Sequence, residues 1–299
     1  MPVHGELGPH AGSTKTTHRE VIPLKLSVCH EMFEGMEIER ICDLVADIGY
    51  DGLEIAPFAL HDDVREMPQA DKERVRKALD DSGLDCAGLH WLLTKPEGLH
   101  IGDPDDALRR ETADYLVTLA EFCALLGGRD MIFGSPKSRD VPEGGDRLGY
   151  WQRAQDTVRS AGERAHELGA VIAMEPLARS ISNFLNHASE VRRFVGEIDH
   201  PGVRMMVDCY SMGDESSPRS QIIAESGDLI LHVHANDTTM REPGTGDLDF
   251  SEVVAALKGI GYDGWVSLEV FEIDPDPETM ARRGYELMAE EMRRQGVRG

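Results

Sequence analysis

The sequence predicts an α/β protein, a single (β/α)8 barrel of the TIM type. Three observations predict it. Short apolar β-type runs alternate with longer amphipathic stretches along nearly the whole chain. A glycine closes a helical pattern just before a strand at IGYDGLEI, SGLDCAGL, LGGRDMIF, LGAVIAME and IGYDGWVSL. The 299 residues hold eight such units without a break in composition. About 250 residues is the ordinary size for such a barrel, and alternating units imply a parallel sheet.

The elements follow in order. A first strand is expected over Leu24–Cys29. It runs into CHEMFEGM, which lacks the glycine-rich phosphate loop that an open, doubly wound sheet would carry there. MEIERICDLVADIG repeats apolar residues at helical spacing and stops at Gly49, the left-handed position that ends a helix. Strands Gly52–Ile55 and Asp85–His90 come next. DALRRETADYLVTLAEFCALLGG is a long helix that stops at Gly127 and Gly128, before strand Asp130–Gly134. GYWQRAQDTVRSAGERAHELG ends at Gly169 and leads into Val171–Glu175. HASEVRRFVGEI precedes Val203–Asp208, SQIIAESGD precedes Leu229–His234, and DFSEVVAALKGIG precedes Trp265–Val270. PETMARRGYELMAEEMRRQ supplies the last helix. Residues 1–22 read as a disordered tail, with the barrel over 23–299. The tail histidines His4, His10 and His18 read as loose residues rather than ligands.

Composition narrows the function. The net charge is −24, from 55 Asp and Glu against 31 Lys and Arg. Nucleic-acid binding rests on basic patches that neutralise phosphates, so no nucleic-acid partner is expected. The same balance argues against an anionic membrane surface. No apolar stretch is long enough to span a bilayer, and the first residues lack the apolar run of a signal peptide. The five cysteines are widely spaced with no CxxC pair, which fits a reducing cytoplasm. Apolar helix faces cannot be told from dimer faces in one sequence, so a homo-oligomer stays open.

The chemistry concentrates at four strand ends. AVIAME, VRMMVD and LILHVH end on Glu175, Asp208 and His234, and WVSLEV carries Glu269 one residue before its end. The four are spaced by roughly 30 residues, about one βα unit. In a barrel these strands are neighbours, so the side chains converge at the catalytic rim. Taken singly, a carboxylate after a strand is a helix cap or a rim charge. Three carboxylates in register with an imidazole are costly unless a cation neutralises them. The expected cofactor is one divalent ion, Mn2+ foremost, with Mg2+, Co2+ and Zn2+ also compatible. His232 lies two residues before His234 and reads as packed beneath the site.

The run ILHVHANDTTMREPGTGDLDF, together with MEP, MVD and SLEVFE, resembles the xylose-isomerase-like TIM-barrel superfamily. Within it the chain is similar to the sugar phosphate isomerase/epimerase group that includes D-tagatose 3-epimerase-type enzymes. The resemblance implies that Glu175, Asp208, His234 and Glu269 are metal ligands. It also implies that Glu175 and Glu269 are the acid/base pair. The chain departs from the ketose 3-epimerases in three places. Ser211 stands where they carry a substrate-binding His. Arg241 matches their substrate-binding Arg only with an offset of one residue. EPLARSISN offers Arg179 and Asn183 in place of a second Glu.

The resulting expectation is an enzyme, a divalent-metal-dependent isomerase or epimerase of a small sugar or sugar derivative, acting by proton abstraction next to a carbonyl through an enediolate with Glu175 and Glu269 as acid and base. The alternative is a lyase on the same barrel, dehydrating a keto-sugar or keto-cyclitol or cleaving a 3-oxo-glycoside. Endonuclease IV-like hydrolysis would need more histidine ligands and a basic face. Candidate substrate contacts are His30, Glu54, His90, Trp91, Asn183 and Arg241, all at or after strand ends. Lys137 and Arg139 in GSPKSR read as a solvated basic loop, and Cys209 as a buried small side chain.

Overall fold

The computed structural model describes residues 24–298. The expected tail, residues 1–22, with His4, His10 and His18, lies outside them. Eight strands form a closed barrel in sequence order: β1 (Lys25–Cys29), β2 (Gly52–Ile55), β3 (Asp85–Leu89), β4 (Asp130–Phe133), β5 (Val171–Met174), β6 (Val203–Asp208), β7 (Ile230–Ala235) and β8 (Trp265–Leu268). All pairings are parallel, and β1 closes the ring against β8 with Val28 opposite Leu268. The intervening helices are α1 (Ile38–Ile48), α2 (Gln69–Ser82), α3 (Asp106–Leu125), α4 (Arg147–Glu167), α5 (Ala188–Ile198), α6 (Arg219–Ser226), α7 (Phe250–Ile260) and α8 (Pro277–Gln295). The fold class is the one the sequence predicts.

The boundaries differ in instructive ways. Several strands leave the ladder one or two residues earlier than their apolar runs suggest, so Glu175 and Glu269 stand just past β5 and β8. The seventh strand begins at Ile230 because Gly227–Leu229 form a short 3-10 turn. Helix α2 was not singled out in the sequence, because its many charges blur the apolar stripe. Gly49 and Gly83 do take the left-handed conformation that ends α1 and α2, at φ 112° and 71°. Asp105, Asp146 and Asp249 cap α3, α4 and α7 by accepting from backbone N–H groups in the first turn.

Strand side chains alternate between two faces, and that alternation separates two cores. Met131 and Phe133, Ile172 and Met174, and Met205 and Val207 pack outward in the main core. Ile132, Ala173 and Met206 fall between them and form a small inner cluster with Val171 and Leu231. The rest of the barrel interior is polar. His232 bonds Glu54 Oε2 (2.8 Å), Ser267 Oγ (2.9 Å) and Asp130 Oδ2 (3.2 Å), and Ser27 meets Ser267. All five are buried. At the bottom of the barrel Leu24 N donates to Val297 O (2.8 Å), and Arg298 pairs with Asp51.

A candidate metal centre at the barrel mouth

The tops of β5, β6, β7 and β8 bring Glu175, Asp208, His234 and Glu269 together, with one ligand atom from each lying within 4.8 Å of the others. All four are buried. Register explains the convergence: Asp208 pairs directly with His234, and His234 with Ser267, two residues before Glu269.

Each side chain is aimed by a neighbour. Asp208 accepts from Ser211 N (2.6 Å) and Asn236 Nδ2 (2.7 Å). Ser211, where a substrate-binding His stands in the resembling enzymes, therefore orients Asp208 through its backbone. His234 Nε2 meets Glu54 Oε1 at 3.0 Å. His234 Nδ1 comes within 2.9 Å of Glu269 Oε2, yet it makes no hydrogen bond despite being buried. The imidazole is thus held through Nε2, and its Nδ1 faces the Glu269 carboxylate in an ion pair too poorly aligned for a good hydrogen bond. Glu175 lies against the backbone of Gly134, where a Cβ would collide with Glu175 Oε2.

Charge makes the cluster expensive when bare. Burial, with Glu269 and Asp208 close by, pushes Glu175 up to about 8. Burial and Glu269 raise Asp208 as well. Burial opposes ionisation of Glu269 too, but His234 and His90 outweigh it and bring that carboxyl down to about 2. A poorly aligned imidazole nitrogen and three crowded carboxylate side chains fit a hard divalent cation. Cys29, Glu31, Glu54 and His90 also approach this cluster. Burial raises the Cys29 thiol, which makes it a poor ligand, and Glu54 is occupied by two imidazoles.

A cleft of about 350 Å³, counting the solvent open to it, lies beside Glu175, His234 and Glu269, walled by His90, Trp91, Ile132, Leu177, Ile181 and Phe271. Of the expected substrate contacts, His90 and Trp91 line it. His90 Nε2 approaches Glu31 (2.8 Å) and its Nδ1 approaches Glu269 (3.5 Å). Burial pushes His90 down, but Glu31 and Glu54 lift it to about 10.

The other four contacts fall elsewhere. His30 is buried and accepts from Ala56 N (2.9 Å), so a loop backbone satisfies it. Glu54 is sealed beneath the cleft between His232 and His234. Asn183 is exposed and clamps Val141 through both its amide atoms (2.7 and 2.9 Å). Arg241 reaches Asp274 (3.1 Å) and so ties the loop after β7 to the loop after β8.

Arg139 also departs from its expected place. It is fully buried and donates to the carbonyls of Phe133, Gly134, Phe184 and Leu185 at 2.7 to 3.3 Å. Lys137 is exposed, and Cys209 is buried. Sequence reasoning missed Asn236, Glu31 and Gly134. Glu31 beside His30 and Asn236 close behind His234 were the available signals.

Comparison with known proteins places the chain. A family described as xylose isomerase-like TIM barrel matches residues 42–291. The 3-dehydro-D-guloside 4-epimerase of Escherichia coli is 27% identical over 82% of this chain and 92% of its own length. The D-psicose 3-epimerase of Agrobacterium fabrum is 29% identical over 76% of this chain and 77% of its own. The crystal structure of 3-keto-D-glucoside 4-epimerase from E. coli, in its apo form, superposes with a TM-score of 0.77. It shares 24% identity, covering 89% of this chain and 98% of that one, and so shares the fold. No helix of the described residues is long and apolar enough to cross a membrane.

Proposed function

The chain belongs to the xylose isomerase-like TIM-barrel family, and within it we propose that the protein is a metal-dependent sugar epimerase. It would remove and return a proton at a carbon next to a carbonyl. The convergence of Glu175, Asp208, His234 and Glu269 within 4.8 Å, at the edge of a cleft, carries this reading. The names of its relatives, a D-psicose 3-epimerase and a 3-dehydro-D-guloside 4-epimerase, support the reaction class.

A divalent ion held by these four residues would polarise the carbonyl and offset enediolate charge, an effect of several kcal/mol. Asp208 and His234 lie between the two glutamates around the rim. One glutamate takes the proton from carbon, and the electron pair moves onto the carbonyl oxygen as an enediolate. The other returns a proton to the opposite face of the same carbon, which inverts that centre. His90 holds Glu269 from outside, at 3.5 Å. Ile132, Leu177, Ile181 and Phe271 form apolar walls that would limit water at the anion.

The test is proton NMR of the Mn2+-loaded protein in D2O with ketoses, keto-cyclitols and 3-oxo-glycosides. Solvent deuterium should enter a carbon next to the carbonyl, with an inverted product of unchanged skeleton. An eliminated group in the product would move the protein to the lyases. Absence of exchange with every compound would remove the reaction.

A further inference from the structure

A second cleft adjoins the first. Counting the solvent open to each, it spans about 1170 Å³ against about 350 Å³ for the inner one, and the two share Trp91, Ser135 and Pro136. The inner cleft is the smaller of the two and borders Glu175, His234 and Glu269 directly.

The outer cleft is built rather than loose. Its floor joins the loops after β3 and β4. Leu93 N donates to Ser135 Oγ (3.0 Å), Ser138 Oγ donates to Leu93 O (2.9 Å), and Ile101 N donates to Ser138 O (3.0 Å). His100 is fixed there against Asp140 O (3.1 Å). Trp91 and Ser135 at the junction both hold positive φ, 52° and 28°. Such conformations are strained for non-glycine residues and persist where the surroundings over-determine them. Phe58 and Phe271 pack edge-on against Trp91, each at 6.3 Å between centroids.

The linings differ in character. The inner cleft is apolar apart from the metal cluster, His90 and Ser135. The outer one presents Thr94, Lys95, Glu97, Asp103 and Lys137. Its two lysines are matched by two carboxylates, and Lys95 is paired with Glu97 at 3.1 Å. That balance disfavours a phosphate or carboxylate and suits neutral hydroxyl groups, which can use donors and acceptors alike.

We propose that the outer cleft is a subsite for a second hydroxylated unit. The substrate is then a keto-glycoside whose keto-sugar ring sits at the metal cluster and whose sugar or polyol aglycone lies beyond Trp91. The inference rests on the epimerase reading.

Two ligands test it on the Mn2+-loaded protein: a 3-keto disaccharide and the methyl glycoside of the same 3-keto sugar. Calorimetry measures binding, and NMR in D2O measures exchange. The disaccharide should bind at least tenfold more tightly, and Thr94→Trp, which fills the outer cleft, should shrink that ratio to about one. A thermal melt checks that the variant is folded. Equal affinity in the wild type overturns the subsite, and exchange of both ligands would then keep the epimerase reading. A tenfold preference that survives Thr94→Trp in a folded variant overturns the placement. A preference without exchange of either ligand overturns the reaction and leaves a glycoside-binding cleft. Binding of neither overturns both.

Discussion

Glu54 lies wholly inside the barrel, and its two oxygens serve different imidazoles, His232 at 2.8 Å and His234 at 3.0 Å. By accepting from His234 Nε2 it fixes the tautomer that leaves Nδ1 to face the ligand cluster. An amide in its place offers one acceptor and turns a donor toward the second ring. Glu54→Gln should therefore weaken divalent-metal binding about 10- to 100-fold while the fold persists. Metal titration by calorimetry reads this, and an unchanged affinity would mean that Glu54 does not orient the ligand. For Glu175→Gln and Glu269→Gln we expect a folded protein whose deuterium exchange falls about 10²- to 10⁴-fold, the usual worth of a positioned acid or base. Wild-type exchange in both variants would remove the two-glutamate mechanism. The sequence put Glu54 and His90 on equal footing because both stand near strand ends. It could not tell a side chain that opens on the cleft from one turned beneath it. Depth along the strand decides that, and a register irregularity between Leu53 and Glu54 sets the depth here.

At the scale of elements, glycine stops and apolar runs made all eight strands legible, along with every helix except α2. Loop contacts were not legible, because their partners lie far apart in sequence. Arg139 shows the difference: GSPKSR reads as a basic loop, but Phe184 and Leu185, some 45 residues on, supply half of its acceptors. The guanidinium thereby staples the loop after β4 to the loop after β5, just behind Glu175. Arg139→Met would remove every guanidinium bond and strip Gly134 O of its donor, while Phe133 O, Phe184 O and Leu185 O keep Glu175 N, Ser182 Oγ and Leu177 N, and we expect a loss of about 1–3 kcal/mol. Arg139→Lys should recover little of it, since a single ammonium cannot reproduce the planar fork. Urea denaturation checks both, and a variant within about 0.5 kcal/mol of wild type would show the staple to be dispensable.

For the whole molecule, a cation bound at the mouth would tie metal binding to protonation and stability. Glu175 is held up to about 8 by burial and by Glu269 and Asp208. His234 is raised too, since Glu269 and Glu54 outweigh its burial. Both carry protons at pH 6 that an incoming cation must expel, and Glu175 no longer does at pH 9. Apparent metal affinity should rise across that interval, and calorimetry in two buffers of different ionisation enthalpy should find protons released at pH 6. A pH-independent affinity would contradict the assignment of ligands. Metal at a hundredfold excess over its dissociation constant adds about 2.7 kcal/mol, so a chelator should lower Tm by about 5 °C. The convergence of Glu175, Asp208, His234 and Glu269 was legible because a carboxylate or imidazole recurred at or next to the end of four successive apolar runs. The residues that aim them were not, because Asn236, Gly134 and Glu54 act through contacts that no local pattern announces.

The hydrogen bond from Leu24 to Val297 puts the two ends of the barrel side by side on the face opposite the metal cluster. The ring of strands is therefore indifferent to where the polypeptide is cut. A short linker across that seam, with new termini opened at the exposed turn at Gly83 between α2 and β3, rearranges the order of synthesis and leaves the barrel mouth untouched. Such a circular permutant should melt cooperatively and bind the cation as the native connectivity does. If it failed to assemble, the seam itself would be the part of the wall that must form first.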